Sequence, residues 1–189
     1  MTLRIIAGTL KGRLLKTPKG PSTRPTQGML RGAVFNICQN QIQRARFLDL
    51  FAGSGAMGFE ALSRGAAHAT LVESNRLAIA CIKQNTQALK LESLITLLPI
   101  SASTALKKLT PPFDLIYIDP PYDSPIGPLL TEILAHKLAA PHATLFVEER
   151  YHPHKKPTPF DSPHLVLKDS RRFGAALLHQ YQCSYTARG

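Results

Sequence analysis

The sequence predicts an α/β fold, a mainly parallel sheet with helices on both faces. Three observations carry that expectation. From residue 47 onward, short β-branched and aromatic runs alternate with longer segments of helical periodicity. A glycine-rich turn joins the first of these strands to the first following helix. The fourth strand runs directly into a proline-rigid polar tetrapeptide, at the strand end where open α/β sheets place their reacting groups.

Taken in order, residues 4–8 and 12–16 are strand-like pieces flanking Thr9, Leu10 and Lys11, the pattern of a basic β-hairpin. Lys19, Gly20, Pro21 and Ser22 have the turn chemistry of a linker. The chain therefore divides into a hairpin extension over 1–22 and a main domain over 23–189. Thr26 stands where it would cap a helix whose apolar face holds Met29, Leu30, Ala33, Val34 and Ile37. Strands follow at 47–51, 69–73, 95–98, 113–118 and 143–147, with helices opening at Gly58 and running through 78–89 and 129–138. Residues 165–167 and 175–181 close the sheet as a terminal pair, which brings the count to seven strands.

No apolar run approaches the ~18 residues of a membrane span, and three scattered cysteines suit a reducing compartment, so the expected address is the cytoplasm. The formal charge of +11 is unevenly spread. Residues 1–46 hold nine Lys or Arg and no acid, 47–149 hold seven basic and ten acidic residues, and 150–189 hold seven and two. Cationic ends around a near-neutral middle suggest a polyanionic partner, since fixed positive charge gains affinity by releasing counterions from phosphates.

Residues 49–58 contain Gly53, Gly55 and Gly58 in GxGxxG spacing after a strand and before a helix. Glycines there let the backbone approach a nucleotide-type ligand and let the helix pack closely on the sheet. Glu73, twenty residues after Gly53, ends the second strand, where a carboxylate accepts from both hydroxyls of a ribose. Asp49 distinguishes among nucleotides. A carboxylate beside the loop suits a cationic amine such as that of S-adenosylmethionine and offers nothing to a pyrophosphate.

Asp119, Pro120, Pro121 and Tyr122 point into the same crevice. Two prolines fix φ and direct the Asp119 and Pro120 carbonyls. Those acceptors can draw the hydrogens of an aniline-like base NH2 out of plane and so localise its lone pair. Asp119 can take the released proton, and Tyr122 offers a ring on which a splayed base stacks, worth roughly 1–3 kcal/mol.

With these residues in view, the chain resembles the class I methyltransferases acting on exocyclic base amines. More narrowly it is similar to the RsmD family of bacterial 16S rRNA guanine-N2 methyltransferases associated with guanine 966. The narrow identifiers are Arg4, Ile5, Ile6, Ala7 and Gly8 with Gly12 and Arg13, and Arg24, Pro25 and Thr26 with Arg31, Phe35 and Asn36. The broader ones are the glycine loop, the 60–66 segment, Asn85 and the DPPY tetrapeptide.

The resemblance implies a Rossmann-like class I fold with S-adenosylmethionine as cofactor. Its contacts would come from Asp49, Phe51, Ala52, Gly53, Ser54, Gly55, Gly58, Glu73, Ser74, Ser101 and Ala102. It implies base contacts at Asp119, Pro120, Pro121 and Tyr122, and RNA contacts from Arg4, Lys11, Arg13, Arg24, Thr26 and Arg31. The partner would be 16S rRNA, within an assembled or partly assembled 30S subunit, met by a monomer without membrane attachment. The chain departs from the family where an Asp-Ala pair is usual after the third strand, having Ser101 and Ala102, and where Gly32 replaces an acid.

Other groups are set aside. His152 and His154 lack a third ligand at recognisable spacing, so no metal is expected. Glu148 and Glu149 mark a strand end at the cleft rim, and Lys155, Lys156, Arg171 and Arg172 either meet phosphate or are simply solvated.

Overall fold

The computed structural model describes residues 3–18, 25–110, 112–121, 124–153 and 160–184. Short strands β1 (Leu3–Arg4) and β2 (Leu14–Leu15) pair antiparallel, and helix α1 (Pro25–Ile37) follows. Then come β3 (Arg46–Asp49), α2 (Ala56–Ser63), β4 (His68–Val72), α3 (Arg76–Leu89), a single 3-10 turn (Glu92–Leu94) and β5 (Ile95–Leu98). Helix α4 (Ala102–Leu106), β6 (Phe113–Ile118), α5 (Ile126–Ala135), β7 (Ala139–Arg150), β8 (Leu165–Phe173) and β9 (Ala176–Cys183) complete the chain.

Among the described residues the main sheet has seven strands, in the order β5-β4-β3-β6-β7-β9-β8. β3 to β7 are parallel, and β9 lies antiparallel between β7 and β8. The expected mainly parallel seven-stranded sheet is therefore present, with helices on both faces. Leu30, Val34, Phe35, Phe59 and Ile82 of α1, α2 and α3 pack with Phe47, Leu71, Leu115 and Phe146 on one face. Ala105, Leu130 and Ile133 of α4 and α5 pack with Leu48, Ile116, Leu145 and Val147 on the other. Chain order runs outward from β3 through β4 to β5 and from β6 to β7, so the crevice opens where β3 and β6 lie side by side.

The hairpin is shorter than predicted because its amides bind elsewhere. Buried Glu60 on α2 accepts from Ile6 N at 2.8 Å and Ala7 N at 3.0 Å, which removes them from the ladder. Gly8, at φ 83°, lies so close to α2 that a Cβ would overlap the Ser63 carbonyl. Leu3, Ile5 and Leu15 are buried in the same cluster as α1 and α2, so the extension shares the main core. The expected boundary near residue 22 falls in 19–24, outside the described residues.

Several predicted bounds move. α1 opens at Pro25, whose fixed φ and missing N–H suit the first helical position, so Thr26 lies within the first turn and is not its cap. α5 ends earlier than predicted, before Lys137 at φ 51°. β7 is more than twice the predicted five residues, with an irregularity around His142 at φ 64°. β8 runs through Lys168, Asp169, Ser170, Arg171 and Arg172, a charged stretch acceptable on an edge strand facing solvent.

Candidate functional site

The carboxyl ends of the central strands carry the chemistry, and register sets which way their side chains face. Asp49 pairs with Leu71 on β4 and Tyr117 on β6, and Ile118 pairs with Val147 on β7. Side chains alternate along a strand, so Glu73, Asp49, Asp119 and Glu148 fall on one face, successive across β4, β3, β6 and β7. A cavity of about 390 Å³ opens over this edge, lined by Leu50, Phe51, Val72, Glu73, Ser74, Ile100, Ser101, Ala102, Asp119, Pro120 and Pro121.

Asp49, just before the lining residues Leu50 and Phe51, does not itself line that cavity; it is 1% exposed, and its Oδ1 has no hydrogen-bond partner among the described residues. Burial pushes its carboxyl well above the usual range, a backbone hydrogen bond at Phe51 opposes this, and Asp119, Glu73 and Glu148 add to the rise. An ion buried without a partner is costly, so the position favours either a proton or a bound cation.

Glu73 secures the loop. Its Oε2 accepts from Gly53 N at 2.7 Å, while Oε1 accepts from Ser74 N at 2.8 Å and Asn75 N at 2.7 Å. Gly53, at φ 54°, has open space where a side chain would project. Gly55, at φ 82°, is the left-handed residue that starts α2. Ser54 receives a hydrogen bond from Asn85 Nδ2 at 3.3 Å on its carbonyl, and the same buried Asn85 pairs with Lys16 N and O.

Two expectations need correction. Gly58 does not meet the cavity; it packs on β4, where a Cβ would overlap Leu71 Cδ2, so its lack of a side chain serves helix–sheet packing. Arg31 was expected to meet RNA but is buried. Its Nε pairs with Glu60 Oε2 at 3.5 Å and its NH2 donates to the Arg4 carbonyl at 2.8 Å, so it ties the arm to the core.

The other predicted positions are spread across the site. Asp119 borders the cavity and remains open to water there, yet enough protein surrounds its carboxyl that desolvation raises it to about 6. Ser101 lines the cavity and caps α4, its Oγ accepting from Thr104 N at 3.3 Å. Arg4, Lys11 and Arg13 are exposed on the arm, with Arg4 NH1 donating to Gly12 O at 3.0 Å and Arg13 NH2 to Ala88 O at 3.2 Å. Arg24, Tyr122 and the Thr26 side chain lie outside the described residues. Ala52, Gly53, Ser54 and Gly55 form the loop beside the cavity without lining it. Leu50, Val72 and Ile100 were missed as lining residues. Their signal was position alone, at or just after a strand end on the ligand side of the sheet.

Comparison with known proteins agrees with this architecture. A family model described as Conserved hypothetical protein 95 matches residues 3–182. The Ribosomal RNA small subunit methyltransferase D of Buchnera aphidicola subsp. Acyrthosiphon pisum is 35% identical over 133 residues, covering 70% of each chain. The Escherichia coli protein of the same name is 39% identical over 120 residues, covering 64% of this chain and 60% of its own. The solved structure of yhhF from Escherichia coli superposes with a TM-score of 0.86 at 30% identity, covering 97% of this chain and 99% of that one. A match over nearly the whole length, on a sheet where Asp119, Pro120 and Pro121 line one cavity with Glu73, makes this chain a member of the Conserved hypothetical protein 95 family, the RsmD family of class I methyltransferases.

Proposed function

We propose that the protein transfers a methyl group from S-adenosylmethionine to the exocyclic N2 amine of a guanine in 16S rRNA. The single observation that carries this reading is that Asp119 lines one cavity with Glu73, both close enough to buried Asp49 to raise the cost of ionising it, so that a base-amine acceptor stands beside the cofactor acids. Relatives named as small-subunit rRNA methyltransferases support rRNA as the substrate.

The residues present fit the cofactor. Asp49 Oδ1 is a buried acceptor without a donor among the described residues, and an ammonium group would supply one. Glu73 borders the cavity where a ribose would lie, and Ile100 and Ala102 offer apolar wall to an adenine. Asp119, Glu73 and Glu148 each raise the cost of ionising Asp49, a cost that a cationic ligand would relieve. When bound, S-adenosylmethionine supplies a methyl group on a positively charged sulfur, already an activated leaving group.

Asp119 and the Pro120 carbonyl accept the N2 hydrogens and turn the nitrogen lone pair towards the methyl carbon. As the N–C bond forms, Asp119 takes the N2 proton; a carboxyl held at about 6 is ionised at neutral pH yet basic enough for that work. Exposed Arg4, Lys11 and Arg13 on the arm hold the rRNA phosphates, a monomer acts on an assembled or partly assembled 30S subunit, and Tyr122 stacks on the target base.

The experiment is transfer of labelled methyl to DNA, deproteinised rRNA and 30S particles, followed by nucleoside analysis. The expected product is N2-methylguanosine from rRNA, in particles or free. Label in DNA alone would overturn the reading.

A further inference from the structure

The base must enter the crevice on one side of Asp119, and sheet order decides which. The cofactor acids lie on β4 and β3, Asp119 follows β6, and β7 is the next strand outward. Glu148 on β7 is one residue past the last register pair, Ile118 with Val147, as Asp119 is on the β6 side, so the two take corresponding positions at the ends of neighbouring strands. Alternation turns it to the crevice face, with Phe146 and Asp119. Glu149 turns to the other face, where its Oε2 lies 3.5 Å from His179 Nε2. Glu148 is half-buried and outside the cavity wall, and its carboxylate has no hydrogen bond or ion pair among the described residues. A carboxylate next to the amine acceptor, with no donor to it among the described residues, is an acceptor pair suited to a donor pair on the base.

We infer that Glu148 selects the base: its carboxylate accepts the N1–H and one N2–H of the target guanine, on the side of Asp119 away from the cofactor. This rests on the guanine-N2 reading. Guanine is the base that offers two adjacent N–H donors on its Watson–Crick edge; adenine and cytosine place a ring-nitrogen acceptor beside their amine, which a carboxylate repels. Asp119 and the Pro120 carbonyl share the remaining N2–H, so acceptors hold the nitrogen from both sides while its lone pair faces the methyl group. Desolvation holds the Glu148 carboxyl at about 7, and two charge-assisted hydrogen bonds from guanine would favour its ionised form. A site built to hydrogen-bond a donor rejects analogues lacking it far more strongly than a pocket rejects a change in shape.

The test uses 30S subunits reconstituted around 16S rRNA carrying guanine or 2-aminopurine at the modified position. 2-Aminopurine keeps the N2 amine but has an unprotonated N1. Wild-type enzyme is expected to prefer guanine by about a hundredfold or more in kcat/KM. Glu148→Gln offers N1 a donor, so the preference should narrow at least tenfold, with S-adenosylmethionine Kd changed less than about twofold. Glu149→Gln, on the same strand and opposite face, should leave the preference as in wild type. An unchanged preference in folded Glu148→Gln, or a loss matched by weakened cofactor binding, overturns the assignment. Wild-type methylation of adenine or cytosine instead would overturn the guanine reading itself, which the unsubstituted substrate shows separately.

Discussion

Replacing Asp49 with asparagine separates the two consequences of its burial. Oδ1 has no donor among the described residues, and three neighbouring carboxylates oppose ionisation, after burial itself. The folded-state pKa therefore lies above the unfolded value near ~3.9, so the folded state binds the extra proton. Stability from this group falls as pH rises from the unfolded value through the folded one. The asparagine side chain does not titrate and carries no such slope. The variant should melt no lower than wild type in neutral buffer without ligand, and wild type should gain on it as the buffer is acidified.

With S-adenosylmethionine the order should reverse. A hydrogen bond to a charged group contributes about 1.5–3 kcal/mol, and ~1.4 kcal/mol is tenfold in Kd, so the loss should be about tenfold to a hundredfold or slightly more. Titration calorimetry at neutral pH reads this directly. A Kd within about twofold of wild type would refute Asp49 as the acceptor for the cofactor amine.

Three further outcomes are expected. The methyl-transfer rate in single-turnover assays should climb between about pH 6 and about pH 7, as Asp119 and then Glu148 lose their protons, because both act as ionised acceptors. A rate flat across that range would contradict that role, and Asp119→Asn should cost about 10²–10⁴-fold. Gly58→Ala should lower stability by about 1–3 kcal/mol by pressing on Leu71, measured by denaturant melts, while cofactor Kd stays near wild type. Arg31→Ala should destabilise the arm, seen as faster amide exchange at Ile6 and Ala7, without changing the salt slope of RNA binding; Lys11→Ala should reduce that slope by about one.

What could be read in the sequence was what depends on local pattern. The glycine spacing, the acid at Glu73 and the DPPY segment each sit at a strand end, and strand ends are visible in hydrophobic alternation. What escaped depends on contacts distant in sequence. Arg31 looked like a free cation because nothing nearby in the chain announces Glu60, whose carboxylate meets it only once α1 and α2 are packed. Gly58 shares the motif spacing of Gly53 and Gly55, yet its neighbour is Leu71 on the next strand. The length of β8 was hidden because its outward charges erase the alternation of a half-buried strand. Glu148 and Glu149 read alike in sequence, and only the register of β7 against β6 and β9 separates the crevice face from the His179 face.

The most direct test of the central claim is mass-spectrometric mapping of small-subunit rRNA from cells with and without this protein. One N2-methylguanosine should be lost without the protein and restored by the wild-type chain but not by Asp119→Ala. An unchanged N2-methylguanosine complement in the deletion strain, or restoration by Asp119→Ala, would contradict it.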